Sequence, residues 1–382
     1  MLIVATRHPR IHRWLTSCAL TLGLLSGAQA QNLVIGQSAP LTGVLAETGK
    51  DMVLGARIYF EQVNSHGGVN GRKIQHVVLD DGYDVGRTFD NTRDLLDKHG
   101  ALALFGYAGT GNIQRLLDEK VLATAGVALV GPYTGGESLR SPYNPYIFHV
   151  RAGYKDETAT MVQMLTSVGM RQIAVMYQDD AFGKAGLQGV VDALEPLGLK
   201  PSVTASYPKN TDNVDEAVQA IAAKKPQAVI LISVNKSSAA FLSKYRRLSQ
   251  SAQIFNVSVV NPKVIAAIIG GADIRGFSIA RVVPDPLSNA LPAAREYREL
   301  LARYGDGAEP STTSFEEFLA AKTLVEGLKR AKNPTRASVV SALESLEKLD
   351  LGGYTVSFGP NNRRGSKLVT LVSIGKDGKV VH

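Results

Sequence analysis

The chain of 382 residues is long enough for two domains, each with a substantial core. It carries 42 lysines and arginines against 34 acidic residues, a formal net charge of +8, but the basic residues are scattered without interleaved aromatic residues, which argues against nucleic-acid binding. The single cysteine, Cys18, excludes an intrachain disulfide and a thiolate metal site. The five histidines beyond residue 30 lack the spacing of zinc ligands, so no cofactor is expected.

The first thirty residues have the composition of a targeting segment. Arg7, Arg10 and Arg13 precede an apolar run at 14–25, which Ala28-Gln29-Ala30 follows. This order predicts a cleaved signal peptide at 1–30 and export to the periplasm, and the loss of three arginines lowers the formal charge from +8 to +5. Cys18 loosely matches a lipoprotein cleavage site, but Arg13 leaves no room for the required apolar segment, so a lipid anchor is not expected.

Short β-rich runs then alternate with helical patterns such as the one at 52–64. This alternation predicts an α/β fold with right-handed crossovers and mostly parallel sheets, and the strands are too numerous for one open sheet. A different pattern at 353–358 and 367–374, with an Asp377-Gly378 turn, predicts short antiparallel strands. The predicted parallel strands are 33–36, 74–80, 102–106, 128–131, 147–151, 173–177, 203–206, 228–233, 254–257 and 277–282.

Two segments near the first strand imitate catalytic or nucleotide-binding motifs. The segment 43–51 resembles a phosphate-binding loop, but five residues separate Gly43 from Gly49, and Asp51 occupies the position of the hydroxyl that binds magnesium. Ser38 lies in the frame of a nucleophile elbow, but Pro40 replaces the last glycine of that motif. Both departures argue against a nucleotide site and against an exported α/β hydrolase.

A glycine-rich corner carries a family resemblance. The stretch 64–74, NSHGGVNGRKI, lies between a predicted helix and a strand that ends at Asp80-Asp81. Its glycines suit the positive-φ positions of a tight turn. With the segments 40–43, 131–132, 314–317 and 351–353, it closely resembles type I periplasmic solute-binding proteins of the branched-chain amino acid (Leu/Ile/Val-binding) ABC importers, over essentially all of the chain beyond residue 30.

The resemblance implies two Rossmann-like lobes joined by a hinge of three chain crossings. One lobe would comprise residues 31–150 and 283–354, and the other 151–282 and 355–382. It further implies a monomeric, non-enzymatic component that binds a small solute between the lobes and delivers it to an ABC permease in the inner membrane.

The loops at the carboxyl ends of the first-lobe strands hold candidate ligand-binding residues. Gly109 and Gly111 permit close backbone approach, and Thr110 begins a helix whose free N–H groups favour a carboxylate. In the family, the hydroxyl at the position of Thr110 binds carboxylate. The resemblance also selects the second loop, Tyr133-Thr134-Gly135, although leucine-binding members have a threonine at the position of Gly135.

The second lobe supplies the aromatic candidates Tyr154 and Phe182, of which Phe182 aligns with a ring that packs on the ligand in the family. Amino-acid-binding relatives place a glutamate for the ligand's ammonium group where this chain has Val259. Either another carboxylate replaces that glutamate, with Glu316, Glu47 and Asp180 as candidates, or the ligand has no ammonium group. A buried, unpaired ammonium would cost several kcal/mol.

The ligand therefore stays open between a branched-chain amino-acid-like solute and another small carboxylate. A ligand-sensing receptor subunit for aromatic carboxylates or short amides is the alternative function. The sequence does not separate transport from sensing.

Overall fold

The computed structural model describes residues 31–248, 251–270, 274, 276–375 and 379–381. The predicted signal peptide at 1–30, with Cys18, and the predicted turn at 377–378 lie outside these ranges. Within them, no helix combines the length and the apolar character that a bilayer span requires.

The first sheet forms from residues 33–148 and is parallel, with the strand order β2-β1-β3-β4-β5. Its strands are β1 (Leu33–Ala39), β2 (Ile74–Asp80), β3 (Ala103–Phe105), β4 (Leu129–Val130) and β5 (Ile147–Phe148). The connecting helices are α1 (Ala46–Ser65), α2 (Val85–Asp97), α3 (Thr110–Asp118) and α4 (Val121–Ala125). Helices cover both faces of such a sheet, so its strands carry nearly continuous apolar runs.

The second sheet begins after the first chain crossing. Its parallel strands are β6 (Ile173–Gln178), β7 (Val203–Tyr207), β8 (Ala228–Ile232), β9 (Gln253–Asn256) and β10 (Phe277–Arg281). Its helices are α5 (Tyr154–Ser167), α6 (Ala181–Leu194), α7 (Asp215–Lys224), α8 (Asn235–Arg247) and α9 (Pro262–Ile269). Strand β8 lies inside the sheet, and all of its residues are buried.

The chain then returns to the first sheet. Helices α10 (Pro292–Tyr304), α11 (Thr312–Arg330) and α12 (Arg336–Glu344) contribute to the same apolar core as β1 and β3. In that core the ring of Phe318 on α11 packs edge-on against Tyr59 of α1, with centroids 5.3 Å apart. The short strands β11 (Leu349–Asp350) and β12 (Thr355–Val356) pair with each other antiparallel.

The tail joins the second sheet as β13 (Thr370–Ile374), which pairs antiparallel with β10 and with β14 (Val380–Val381). The structure departs here from the predicted lobe boundary after residue 354, because Val356 and Phe358 pack in the first core. The chain enters the second sheet only at Thr370. The predicted strand at 353–358 is reduced to β12.

Tyr354 links two of the crossings. Its hydroxyl lies 2.8 Å from the carbonyl oxygen of Val150 and 3.3 Å from that of Val282. Val150 lies where the chain leaves the first sheet, and Val282 lies where it leaves the second. Two Rossmann-like lobes with mostly parallel sheets and three crossings are therefore confirmed, and each of the ten predicted parallel strands has a counterpart.

The glycine-rich corner turns α1 into β2. Gly67, Gly68 and Gly71 all have positive φ angles, of 96°, 80° and 79°. The side-chain amide of Asn64 then closes the corner: it accepts from the N–H of Ile74 at 2.7 Å and donates to the carbonyl of the same residue at 2.8 Å. The asparagine thus satisfies both backbone groups where β2 begins.

We expect Asn64→Ala to lower the free energy of unfolding by about 1–3 kcal/mol, because both backbone groups of Ile74 lose their partner. Urea denaturation measures this change, and the slope of the unfolding free energy against urea concentration should be the same in both chains. Asn213→Ala, at an exposed position, is the matched control and should change stability by less than about 0.5 kcal/mol. Equal effects of the two substitutions would contradict this role of Asn64.

Candidate functional site

A small cavity of about 20 Å³ lies between the lobes. Every lining residue follows the carboxyl end of a strand, which is where open α/β sheets bind ligands. The first lobe contributes Leu45, Tyr83, Ala108, Gly109 and Tyr133, and the second contributes Tyr154, Phe182, Val234 and Val259.

Backbone conformation brings the first-lobe residues to the cavity. Tyr83 has a φ of 64°, which is strained for a residue with a side chain. Gly109 has a φ of 96°, and a Cβ at this position would lie 2.7 Å from the ring of Tyr83. Ala108 and Tyr133 form a parallel bridge that extends the pairing of β3 and β4 toward the cavity.

The second-lobe rings are held against the first lobe. The N–H of Tyr154 donates to the carbonyl of Gly135 at 2.8 Å, and its ring contacts Phe182 with centroids 5.3 Å apart. A Cβ at Gly135 would lie 2.5 Å from the nitrogen of Tyr154. Glycine at position 135 therefore permits this close approach of the two lobes.

Thr110 and Thr134 form a hydroxyl pair beside the cavity, with their Oγ1 atoms 2.7 Å apart. Both side chains are buried, and Thr134 also accepts from the N–H of Gly136. Thr110 is the first residue of α3, and the preceding Gly109 provides no side-chain cap. The N-terminus of α3 therefore directs its backbone N–H groups toward this region without a capping side chain.

A buried ion network lies behind the cavity. The guanidinium of Arg151 is 3.0 Å from Glu157 in the second lobe and 3.3 Å from Glu316 in the first. The same group lies over the rings of Tyr133 and Tyr154, at 5.2 and 5.9 Å from their centroids. Burial opposes the cation, but Glu316 and Glu157 raise the pKa of Arg151 above its ordinary value.

Hydrogen bonds also join the lobes around the rim. Asn235 donates to Thr48 at 3.2 Å, and Asn261 donates to Asp51 at 3.3 Å. Lys209 of the second lobe donates to Asn112 at 3.0 Å. These contacts describe a closed arrangement of the two lobes.

Five of the predicted site residues line the cavity: Gly109, Tyr133, Tyr154, Phe182 and Val259. Their role in binding stays a prediction. The other five predicted residues surround it instead of lining it: Thr110, Gly111, Thr134, Gly135 and Glu316.

Sequence reasoning placed no cavity residue after β8, where Val234 lies. Its position at a strand end was the available signal. Ser38, the nucleophile that a hydrolase would need, is buried and donates to Asp81 at 2.7 Å.

Two hinged α/β lobes that enclose a cavity at their strand ends define the class of two-lobed solute-binding proteins. The chain belongs to the periplasmic binding protein family, whose sequence model matches residues 32–379.

Individual relatives cover nearly the whole chain. A Leu/Ile/Val-binding protein homolog 8 of Brucella suis is 25% identical over 97% of this chain and 96% of its own. A substrate-binding periplasmic protein from Ralstonia solanacearum has a TM-score of 0.88 at 36% identity, covering 92% of this chain and 99% of its own. A possible leucine/isoleucine/valine-binding protein from Rhodopirellula baltica gives 0.86 at 28% identity, over 93% and 97%.

We expect Arg151→Gln to lower the free energy of unfolding by about 3–5 kcal/mol, because it leaves two buried carboxylates without their cation. Arg57→Gln is the matched control, since Arg57 pairs with Glu61 and Asp306 at the surface, where such pairs contribute about 1 kcal/mol or less. Chemical denaturation of both variants is the measurement. If Arg151→Gln lowered the free energy of unfolding no more than Arg57→Gln does, the stabilising role of the Arg151 network would be contradicted.

Glu317 gives a pH prediction. Its carboxyl is buried, and neither oxygen has a hydrogen-bond partner among the described residues. Burial, with a smaller contribution from Glu316, raises its pKa well above the ordinary 4.5. The folded chain therefore binds more protons than the unfolded chain as the pH rises above 4.5, and stability is lost in that direction.

We expect the stability of the wild type relative to Glu317→Gln to fall from pH 5 to pH 8, by up to about 1.4 kcal/mol per pH unit. Parallel urea titrations of the two chains at each pH measure it. Glu299→Gln, at an exposed position of α10, is the control. Parallel profiles for the wild type and Glu317→Gln would show that burial does not keep this carboxyl protonated.

Proposed function

We propose that this protein is the periplasmic substrate-binding component of an ABC importer. It binds a small carboxylate with an apolar tail between its lobes and delivers it to a permease in the inner membrane. The observation that carries this proposal is the apolar, aromatic-walled cavity formed by strand ends of both lobes.

The lining of the cavity, not its size, supports a small apolar ligand. Its volume of about 20 Å³ is far below the range of about 300–1,000 Å³ that is typical of drug-sized ligands, so a ligand would enter only after the lobes separate or the lining side chains move apart. Four aromatic rings and the side chains of Leu45, Val234 and Val259 suit an aliphatic or aromatic tail. The relatives named as Leu/Ile/Val-binding proteins are consistent with a short aliphatic tail.

The polar end of the ligand fits the N-terminus of α3. Gly109 both lines the cavity and precedes the first turn of this helix. The positive end of the helix dipole and the N–H groups there favour a carboxylate without a lysine or arginine. The Thr110 and Thr134 hydroxyl pair beside it is available to rearrange toward such an oxygen.

Ligand binding shifts the protein toward its closed state, because a ligand in this cavity contacts both lobes only when they are closed. Micromolar binding corresponds to about 8 kcal/mol, which a few charge-assisted hydrogen bonds and a buried apolar tail are able to supply. The permease would then recognise the closed form.

A thermal-shift screen of amino acids, aliphatic and aromatic carboxylates and short amides tests this function, followed by calorimetry of each stabilising compound. Small-angle scattering with and without that compound measures closure. One-to-one binding with compaction is the expected result. The proposal fails if no compound of these classes binds.

Phe182→Ala tests the location of the site. We expect it to weaken the best ligand by about 10- to 100-fold, since burial of a phenylalanine side chain contributes about 1.5–3 kcal/mol. Phe89→Ala is the control, because Phe89 lies on α2, outside the cavity, and its ring contacts the guanidinium of Arg115 on α3. Calorimetry that gives both variants the wild-type affinity would place the ligand elsewhere.

A further inference from the structure

The cavity wall lacks a counter-charge for a cation. Among the described residues, those that line it are aliphatic, aromatic or glycine, and none carries a carboxylate. An ammonium group enclosed there would lose its hydration without gaining an ionic partner, which costs several kcal/mol.

The three carboxylates that the sequence offers as replacements already have partners. Glu316 is bound to Arg151 at 3.3 Å. Asp180 accepts from Gln178 at 2.9 Å and from the N–H of Gly183 at 3.1 Å, where it caps α6. Glu47 is exposed and paired with Lys50. If any of these carboxylates moved to a ligand, a basic side chain or the N-terminus of α6 would lose its partner.

The aromatic rings do not replace a carboxylate. A ring binds an ammonium through its negative face. However, three of the four rings that line the cavity already have a protein cation at 4.1–5.9 Å from the ring centroid. Arg151 lies over Tyr133 and Tyr154, and Lys209 lies 4.1 Å from the centroid of Tyr83. Each of these three rings therefore already interacts with a cation, which is itself paired with a carboxylate.

We propose that the ligand is a monocarboxylate with a branched aliphatic or aromatic tail and no amino group. This inference rests on the proposed function and narrows its substrate class. It separates this protein from a receptor for amino acids, in spite of the names of its relatives.

Matched pairs of ligands test the inference. Calorimetry at pH 7 compares 4-methylpentanoate with L-leucine and 3-phenylpropanoate with L-phenylalanine, which differ only by the amino group. The amino-free member of at least one pair should bind about 100-fold or more tightly than its amino acid, the ratio that corresponds to about 3 kcal/mol.

Equal or tighter binding of the amino acids would overturn the inference and leave the proposed function intact. Absence of binding by all four compounds, in a chain that the wider screen shows to bind amides or another uncharged class, would overturn both the inference and the carboxylate part of the proposed function.

Val259→Glu tests the cause. Val259 is buried in the cavity wall, so a glutamate there supplies the absent counter-charge. We expect this variant to shift the preference toward L-leucine over 4-methylpentanoate by about 10-fold or more. Val259→Gln introduces a side chain of the same size as glutamate but without the charge, so it should not produce that shift.

An unshifted preference in folded Val259→Glu, or an equal shift in both variants, counts against the inference. Circular dichroism and a thermal melt establish folding. If Val259→Glu does not fold, the comparison of ligand pairs on the wild type decides alone.

Discussion

The position of the two lobes depends on the guanidinium of Arg151. It lies immediately after the first chain crossing and holds Glu157 from one lobe and Glu316 from the other, at 3.0 and 3.3 Å. Both carboxylates are buried, so each would be an uncompensated charge without it. The same cation lies over the rings of Tyr133 and Tyr154, so the interaction that joins the lobes also contacts two rings of the cavity.

Such a network selects a geometry more than it stabilises the fold, because the removal of three charges from water offsets most of their attraction. The apolar cores of the two sheets supply the folding free energy. Arg151 also directly follows Val150, whose carbonyl Tyr354 holds at the crossing. If the lobes rotate about the chain crossings, residues near the crossings are displaced least, so the rim bonds of Asn235 and Asn261 would exchange for water before the Arg151 network separates.

Much of the fold follows from local patterns in the sequence. Strand and helix periodicities identified every parallel strand, and the glycines at 67, 68 and 71 marked the corner that their positive φ angles require. The strand-end rule and the family resemblance together selected ten residues, of which half lie on the cavity wall. The choice of ion partner was not predictable: Glu316 is a plausible ligand contact by position, but it binds Arg151, which is distant in sequence. Such pairings depend on how the two lobes meet, and no local pattern records this.

The two walls of the cavity differ in chemistry, and this difference implies an order of binding. Besides apolar side chains, the first lobe offers the N-terminus of α3 at Gly109, with the hydroxyl groups of Thr110 and Thr134 next to the wall, whereas the second offers apolar surface from Phe182, Val234 and Val259. On the proposed function, helix-end hydrogen bonds would form with a ligand while the lobes are open. Burial of the tail requires the second wall to close over it, so the hydrophobic contribution is gained only on closure. A ligand with a longer apolar tail that still fits should therefore favour the closed state more strongly, whereas a bare carboxylate should bind the open first lobe with little closure.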